Sequence, residues 1–256
     1  MDSDVILQTN NLEVGYPNKS VCKNINLTLK KGKLTALIGK NGIGKSTLIR
    51  TLANLQKPIL GTVLLNGKEI SKYSISDLSK EISLVLTEKL PPNNLSVFEL
   101  VALGRQPYTN WVGKLSDDDL QKINQAITTT NIENLIDKKH FELSDGQYQK
   151  VLIARALAQN TNLIILDEPT THLDLTHNVS VLKLLKSLAN KNQKAILFST
   201  HDIDLAIQLA DEIIVITDDF VVQDTPCSLI EKDVFSKIFS DKNISFDNQK
   251  GKFTVN

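Results

Sequence analysis

A glycine-rich loop, Gly39-Lys40-Asn41-Gly42-Ile43-Gly44-Lys45-Ser46-Thr47, carries the residues best suited to chemistry. Its spacing, a glycine, four residues and then Gly-Lys-Ser, is typical of loops whose backbone N–H groups surround the phosphates of a nucleotide. We predict that the Lys45 ammonium reaches the β- and γ-phosphates and that the Ser46 hydroxyl ligates Mg²⁺. The predicted ATP contacts of this loop are Gly39, Asn41, Gly42, Gly44, Lys45, Ser46 and Thr47.

The segments on either side of the loop agree with this interpretation. Residues 34–38 are apolar and partly β-branched, and they predict a buried strand. Residues 46–53 predict a helix, whose N-terminus would add partial positive charge beside the phosphates. The alternative is that Lys-Ser occurs by chance in a glycine-rich turn. Such a turn would need neither the strand before it nor the helix after it.

Two later apolar segments also end in residues that can do chemistry. Residues 163–166 lead into Asp167-Glu168, and residues 195–200 lead into His201. In an open α/β sheet, ligands bind outside the C-terminal ends of the strands. We predict that Asp167 holds Mg²⁺ through water, that Glu168 activates the attacking water and that His201 contacts the γ-phosphate. The alternatives are a solvated acidic pair in a turn and a histidine that caps the next helix.

A second candidate anion site, Ser144-Asp145-Gly146-Gln147, stands before the Ala-rich, helix-forming residues 150–158. A hydroxyl, a flexible glycine and the N–H groups of a helix start all suit an anion. Because the chain has one phosphate-binding loop, we assign Ser144, Gly146 and Gln147 to the nucleotide of a second copy. The two copies would lie head to tail, each completing the site of the other.

The N-terminal part predicts a small β subdomain. Strands are expected at residues 5–8, 12–16 and 21–29, and Asn66-Gly67 between apolar runs predicts a type I′ hairpin turn. Tyr16 lies in a turn-like context where its ring could stack on adenine. A half-buried tyrosine at a sheet edge fits the local pattern as well.

From about residue 88 to residue 150 the pattern becomes mostly helical, and we predict an inserted helical subdomain there. Ser96-Val97-Phe98-Glu99 is a capping box that begins one helix, and Ser116 with three following aspartates begins another. We place the whole domain at residues 1–240 and an irregular, polar tail at residues 241–256.

Bulk composition limits the class of protein. The 256 residues contain 29 Lys plus Arg and 29 Asp plus Glu, so no overall positive charge favours nucleic acid as a partner. Two cysteines far apart in sequence suit a reducing cytosol. The N-terminal residues lack signal-peptide features, and no apolar run is long enough to span a bilayer. We therefore expect a cytosolic chain whose membrane contact comes through a partner.

Together these motifs resemble the ATP-binding subunits of ABC transporters over nearly the whole chain. Leu143-Ser144-Asp145-Gly146-Gln147 is similar to the signature of that family, and residues 170–174, which end in Asp174, resemble its D-loop. The resemblance implies a P-loop NTPase (RecA-like) α/β core with a small antiparallel β subdomain and an inserted helical subdomain. It also implies two ATP molecules between two subunits, with Tyr16 stacked on adenine and His201 as the switch histidine.

A more specific resemblance concerns residues 101–108, Val-Ala-Leu-Gly-Arg-Gln-Pro-Tyr, and the later Leu115-Ser116-Asp117-Asp118-Asp119. Both are similar to importers of iron-siderophores, haem and vitamin B12. The resemblance implies a peripheral subunit on the cytoplasmic face of the cell membrane, where the helical subdomain contacts polytopic permease subunits. An extracytoplasmic substrate-binding protein would be an indirect partner.

Two positions depart from the family pattern. Where the resemblance implies a glutamine that contacts Mg²⁺ and couples ATP to the permease, the chain has Thr87 followed by Glu88. We expect that Thr87 holds the metal through water or that Glu88 takes this role. Asp145 replaces a usual glycine, and we expect its carboxylate to point away from the γ-phosphate because like charges repel.

Other functions of ABC cassettes are the alternatives. A soluble ATPase of translation usually has two cassettes in one chain, and a DNA-repair ATPase has a long coiled coil between loop and signature. No heptad run is present between Ser46 and Ser144. Exporter cassettes are often fused to membrane helices, so an importer subunit is the favoured function.

Overall fold

The computed structural model describes residues 4–86, 94–110, 113–238, 244–247 and 251–255. The strands in these ranges are β1 (Val5–Tyr16), β2 (Lys19–Ile25), β3 (Thr28–Lys30), β4 (Leu34–Ile38), β5 (Leu60–Leu65), β6 (Lys68–Glu69), β7 (Ile82–Val85), β8 (Leu163–Leu166), β9 (Ala195–Ser199), β10 (Glu212–Ile216), β11 (Val221–Asp224), β12 (Ile244–Asp247) and β13 (Lys252–Val255). The α-helices are α1 (Lys45–Leu52), α2 (Ile75–Glu81), α3 (Val97–Ala102), α4 (Asp117–Thr130), α5 (Asp145–Ala158), α6 (Leu175–Asn192), α7 (Ile203–Leu209) and α8 (Pro226–Glu231). None of these helices is long and apolar enough to cross a membrane.

A six-stranded sheet forms the centre of the domain, in the order β11-β10-β4-β9-β8-β7. Neighbouring strands are parallel except for β10 and β11, which are antiparallel. β4, β8 and β9 are buried along their whole length, which explains their almost continuously apolar sequences. The register pairs Leu37 with Ser199 and Leu166 with Phe198, so the C-terminal ends of these three strands share one edge.

A second, antiparallel sheet carries the N-terminal residues, in the order β2-β1-β5-β6 with β3 beside β1. The two strands expected at 5–8 and 12–16 are one strand, β1, whose pairing is irregular around Asn11, a residue with φ 45°. The single strand expected at 21–29 is divided into β2 and β3, and Asn24 has φ 53° shortly before the break. Asparagine tolerates the left-handed region, so the chain changes direction at these points without glycine.

The Asn66-Gly67 turn between β5 and β6 has the predicted geometry. Its two residues have positive φ, 50° and 76°, as a type I′ turn requires. Beneath this sheet, Leu12 and Leu65 belong to the same apolar core as Leu48 of α1. The β subdomain is therefore packed on the helix that follows the glycine-rich loop.

The helical insert contains α3 and α4, which pack against α5. Ser96 and Ser116 are the predicted N-caps, each in a complete capping box with Glu99 or Asp119. The three helices share an apolar cluster that includes Val97, Leu100, Val101, Ile123, Ile127, Val151 and Ala154. The insert thus has a core of its own and is attached to the central domain through α5.

The C-terminal residues are not the irregular tail that the sequence predicts. β12 and β13 pair as antiparallel strands. The Phe246 ring lies 4.9 Å from that of Phe235 and 5.0 Å from that of Phe253, measured between centroids. These aromatic contacts give the segment an apolar face. Because most of its residues are polar, this face is not evident from composition alone.

Candidate active site

A cavity of about 680 Å³ lies at the C-terminal edge of the central sheet. Five separate parts of the chain form its walls, and most of the residues predicted for ATP are among them. The lining residues are Tyr16, Lys19, Ser20, Val21, Lys40, Asn41, Gly42, Ile43, Gly44, Lys45, Ser46, Thr47, Glu168, His201 and Asp218. The glycine-rich loop, Glu168 and His201 therefore meet at one edge of the sheet.

The loop passes from β4 into α1 with glycines where larger residues would not fit. Gly44 has φ 112°, and a Cβ atom there would lie 2.3 Å from Val21 Cγ1. A Cβ atom on Gly39 would lie 2.6 Å from the carbonyl oxygen of Ile216. α1 has no acidic residue in its first turn and no side-chain N-cap, so no side chain competes with an anion for its first N–H groups.

Lys45 is held inside the loop rather than in solvent. Its side chain is buried, and its Nζ atom donates to the carbonyl oxygen of Gly39 at 3.0 Å. Burial lowers the pKa of the Lys45 ammonium, and the carboxylates of Glu168 and Asp167 oppose that shift. The same Nζ atom lies 3.5 Å from His201 Nδ1, so the cationic group faces the cavity wall that carries the histidine.

Ser199, at the end of β9, connects the two acidic residues. Its Oγ donates to Asp167 Oδ1 at 2.6 Å and accepts a hydrogen bond from the Glu168 N–H at 2.8 Å. Glu168 has φ 51°, a backbone turn that sends its carboxylate into the cavity while Asp167 stays buried. Sequence reasoning missed Ser199, although the pairing of Leu166 with Phe198 places it beside Asp167.

Glu168 and His201 contact each other at the cavity wall. Glu168 Oε1 pairs with His201 Nε2, and Glu168 Oε2 accepts a hydrogen bond from Thr171 Oγ1 at 3.1 Å. The histidine ring thus links the carboxylate to the neighbourhood of the Lys45 ammonium. Its side chain does not cap the following helix, because the N-cap of α7 is Asp202.

Another part of the cavity wall contains Tyr16 and an ion pair. Tyr16 is the last residue of β1, and 49% of its surface is exposed, so its ring is accessible to a ligand. Lys40 Nζ pairs with Asp218 Oδ2, and both residues line the cavity. Sequence reasoning missed this pair because nothing local connects a loop lysine with an aspartate 178 residues away.

Ser144, Gly146 and Gln147 are not among the residues that line this cavity. Ser144 is the N-cap of α5, with its Oγ accepting from the Gln147 N–H at 3.3 Å. Asp174 is likewise the N-cap of α6 and accepts from the His177 N–H at 2.8 Å. None of these groups completes the cavity of its own chain, and their action on a second copy stays a prediction.

Oxygen donors suited to Mg²⁺ are present near the loop. Thr87 and Glu88, the predicted replacements for glutamine, lie outside the described residues. Across the part of the chain that is described, no group of three or more His, Cys, Asp or Glu side chains could form a metal site. The Ser46 hydroxyl and the Asp167 carboxylate fit an ion that keeps water and phosphate among its ligands.

Known proteins share both the sequence and the fold. Residues 22–171 match the family model described as ABC transporter. An ABC transporter ATP-binding protein of Methanocaldococcus jannaschii is 41% identical over 98% of this chain and 87% of its own. A siderophore transport system ATP-binding protein of Bacillus subtilis is 39% identical over 91% of this chain and 86% of its own. A solved inward-facing ABC transporter, described as of metal-chelate type, matches with TM-score 0.81 and 30% identity over 92% of this chain and 89% of its own.

Proposed function

The chain belongs to the ATP-binding subunits of ABC transporters, and from this premise we propose that it powers import of an iron-siderophore chelate, haem or vitamin B12 through a separate permease. Members of this family bind and hydrolyse ATP, so the chain is an ATPase. The cargo class is supported by the similarity to a siderophore transport protein and to a metal-chelate transporter. Siderophore-bound iron, haem and vitamin B12 are the cargoes we consider.

The contiguous group of Lys45, His201 and Glu168 beside the glycine-rich loop is the observation that carries the ATP-hydrolysing part of this proposal. The loop N–H groups and the start of α1 would surround the phosphates of ATP, and Lys45 would move from the Gly39 carbonyl to the β- and γ-phosphates. The adenine ring would stack on Tyr16, whose ring is accessible at the cavity wall.

Mg²⁺ would be held by few protein groups. The Ser46 hydroxyl would be a direct ligand, and Asp167, fixed by Ser199, would act through water. Thr87 is a further candidate for a contact through water. Mg²⁺ held there would supply positive charge that offsets the negative charge of the phosphates during phosphoryl transfer.

Hydrolysis requires Glu168 to accept a proton from the attacking water, and both of its oxygens already have a partner. Oε1 is engaged by His201 and Oε2 by Thr171. We infer that the γ-phosphate attracts the His201 ring, and that the released Oε1 then accepts a proton from the attacking water. In this way His201 would release Glu168, the general base, only when the γ-phosphate is bound.

The assembly would contain two copies arranged head to tail, with Mg²⁺-ATP between them. Ser144, Gly146, Gln147 and Asp174 would complete the site of the partner copy, since none of them lines its own cavity. The helical insert would contact the permease on the cytoplasmic face of the membrane. An extracytoplasmic substrate-binding protein would deliver the cargo, and we expect no nucleic acid as a partner.

Glu168→Gln tests the assignment of the general base. The amide cannot accept the proton, so phosphate release should fall by about 10²-fold or more, whereas ATP affinity should stay the same. Glu231→Gln, at an exposed position on α8, is a matched control and should behave like the wild type. Wild-type hydrolysis by Glu168→Gln would contradict the assigned role.

Gene deletion in the source organism tests the transport function. Growth should fail when one of a ferric siderophore, haem or vitamin B12 is the required supply, and the intact gene should restore it. The chain should also co-purify with a polytopic membrane subunit from solubilised membranes. Co-purification with ribosomes or DNA instead would favour the soluble alternative.

A further inference from the structure

His177, in the first turn of α6, holds the acidic residue of the D-loop. Asp174 Oδ1 accepts two hydrogen bonds from it, one from the backbone N–H and one from ring Nδ1, each at 2.8 Å. Both bonds lower the pKa of the Asp174 carboxyl, so the group is ionised and Nδ1 carries the proton. The Asp174 carboxylate is therefore held mainly by the backbone N–H and the ring of one residue, His177.

The other edge of the same ring packs on the signature. A Cβ atom on Gly146 would lie 2.6 Å from His177 Cδ2 and 3.3 Å from Nε2. Only a residue without a side chain allows the first turn of α5 to approach the ring this closely. One imidazole thus contacts the signature backbone and bonds the D-loop carboxylate.

We propose that His177 is a positioning residue that fixes the signature relative to Asp174, so that both reach the ATP of a partner copy together. The inference rests on the proposed head-to-tail dimer, because neither segment lines the cavity of its own chain. The His177 side chain is 49% exposed, and exposed ion pairs contribute little to stability. Its loss should therefore affect the dimer far more than the fold.

The test uses the full chain carrying Glu168→Gln, in which ATP is expected to bind without being hydrolysed. The dimer dissociation constant is measured in saturating Mg²⁺-ATP by sedimentation. Adding His177→Ala should weaken the dimer by about tenfold or more, a difference of about 1.4 kcal/mol or more. Affinity of the monomer for a fluorescent ATP analogue should change by less than about twofold, because the cavity is untouched.

Two further variants separate the contacts, and a third is a control. His177→Asn retains an amide donor near the position of Nδ1, whereas His177→Phe retains a ring against Gly146. Each should recover part of the lost dimer affinity. Ser180→Ala, an exposed substitution on the same helix, is the matched control and should leave the affinity unchanged. With Glu168 restored, His177→Ala should lower kcat while the KM for ATP stays within about twofold.

The possible outcomes distinguish this inference from the proposed function. A His177→Ala dimer as strong as that of its Glu168→Gln parent would overturn the positioning role and leave the proposed function intact. A thermal midpoint lowered equally in all three His177 variants, with no recovery by Asn or Phe, would show a merely structural role. A parent that stays monomeric in Mg²⁺-ATP would overturn the head-to-tail dimer and this inference with it.

Discussion

Arg105 and Asp119 form an ion pair that is almost completely buried, with 4% and 6% of their side chains exposed. Arg105 Nε donates to Asp119 Oδ1 at 2.8 Å, and Arg105 Nη1 donates to the carbonyl oxygen of Ala158, the last residue of α5, at 2.9 Å. Asp119 also accepts from Ser116 in the capping box of α4. The two segments that resemble iron-chelate importers, residues 101–108 and 115–119, therefore meet in one buried contact.

Breaking this pair should destabilise the protein strongly. Arg105→Met or Asp119→Leu alone should each lower the free energy of unfolding by about 3–5 kcal/mol, because a buried charge is left without its partner. The double variant should lose clearly less than the sum of the two. Urea unfolding measures all three, with Asp118→Asn as control, since that carboxylate is 65% exposed and 3.8 Å from Arg105 Nη2. Additive losses would show that the two residues do not act as a unit.

Acid should remove the contribution of Asp119. The Ser116 hydroxyl and N–H, and after them Arg105, lower the pKa of the Asp119 carboxyl from 3.8 to about 2. Because the folded state keeps the group ionised, its contribution is complete above pH 3.8 and is lost as the pH falls through about 2. The difference in unfolding free energy between wild type and Asp119→Asn should therefore be constant above about pH 5 and should narrow as the pH falls from about 4 toward about 2. A difference that stayed constant over this lower range as well would contradict a role for this ionisation.

Ser199→Ala should slow hydrolysis more than it weakens ATP binding. The variant loses the hydroxyl that fixes Asp167 and orients the Glu168 backbone, so kcat should fall while ATP affinity changes little. Ser83→Ala is the matched control because Ser83 is equally buried in the same sheet and bonds Ala156 O, away from the cavity. Both variants should lose about 1–3 kcal/mol of stability, measured by urea unfolding. Equal rates in steady-state ATPase assays would refute the positioning of the acids by Ser199.

Lys45→Ala should weaken nucleotide binding itself. Hydrogen bonds to charged groups are worth about 1.5–3 kcal/mol, so affinity for ATP should fall by roughly tenfold or more. Lys40→Ala removes a lysine from the same loop whose partner is Asp218, and it should have a much smaller effect. Equilibrium titration with a fluorescent ATP analogue measures both. Equal losses in the two variants would indicate a general effect of charge rather than a specific contact of Lys45.

Residues that act through local backbone geometry could be predicted from the sequence. The Gly39–Thr47 loop depends on the spacing of glycines between a strand and a helix, and the Asn66-Gly67 turn depends on two residues that tolerate positive φ. The N-caps Ser96 and Ser116 are bonded to groups three residues away. All of this information lies within a few neighbouring positions.

Contacts that depend on tertiary packing could not be predicted in the same way. Ser199 meets Asp167 because of the register between β8 and β9, and His177 meets Gly146 because the starts of α5 and α6 pack together. The C-terminal strands depend on Phe235 and Phe246, aromatic residues from segments that look unrelated in sequence. In each case a distant part of the chain decides the role of the residue.

Helix α5 connects two segments of interest through the contacts at its two ends. Ser144, in the segment that resembles the family signature, caps the N-terminus of the helix, and Arg105 Nη1 donates to the Ala158 carbonyl oxygen at the other end. A helix of 14 residues is about 21 Å long, so α5 spans the distance between these two contacts. We therefore expect that a displacement of the segment around Arg105 would shift or tilt α5 and so move Ser144 at its other end.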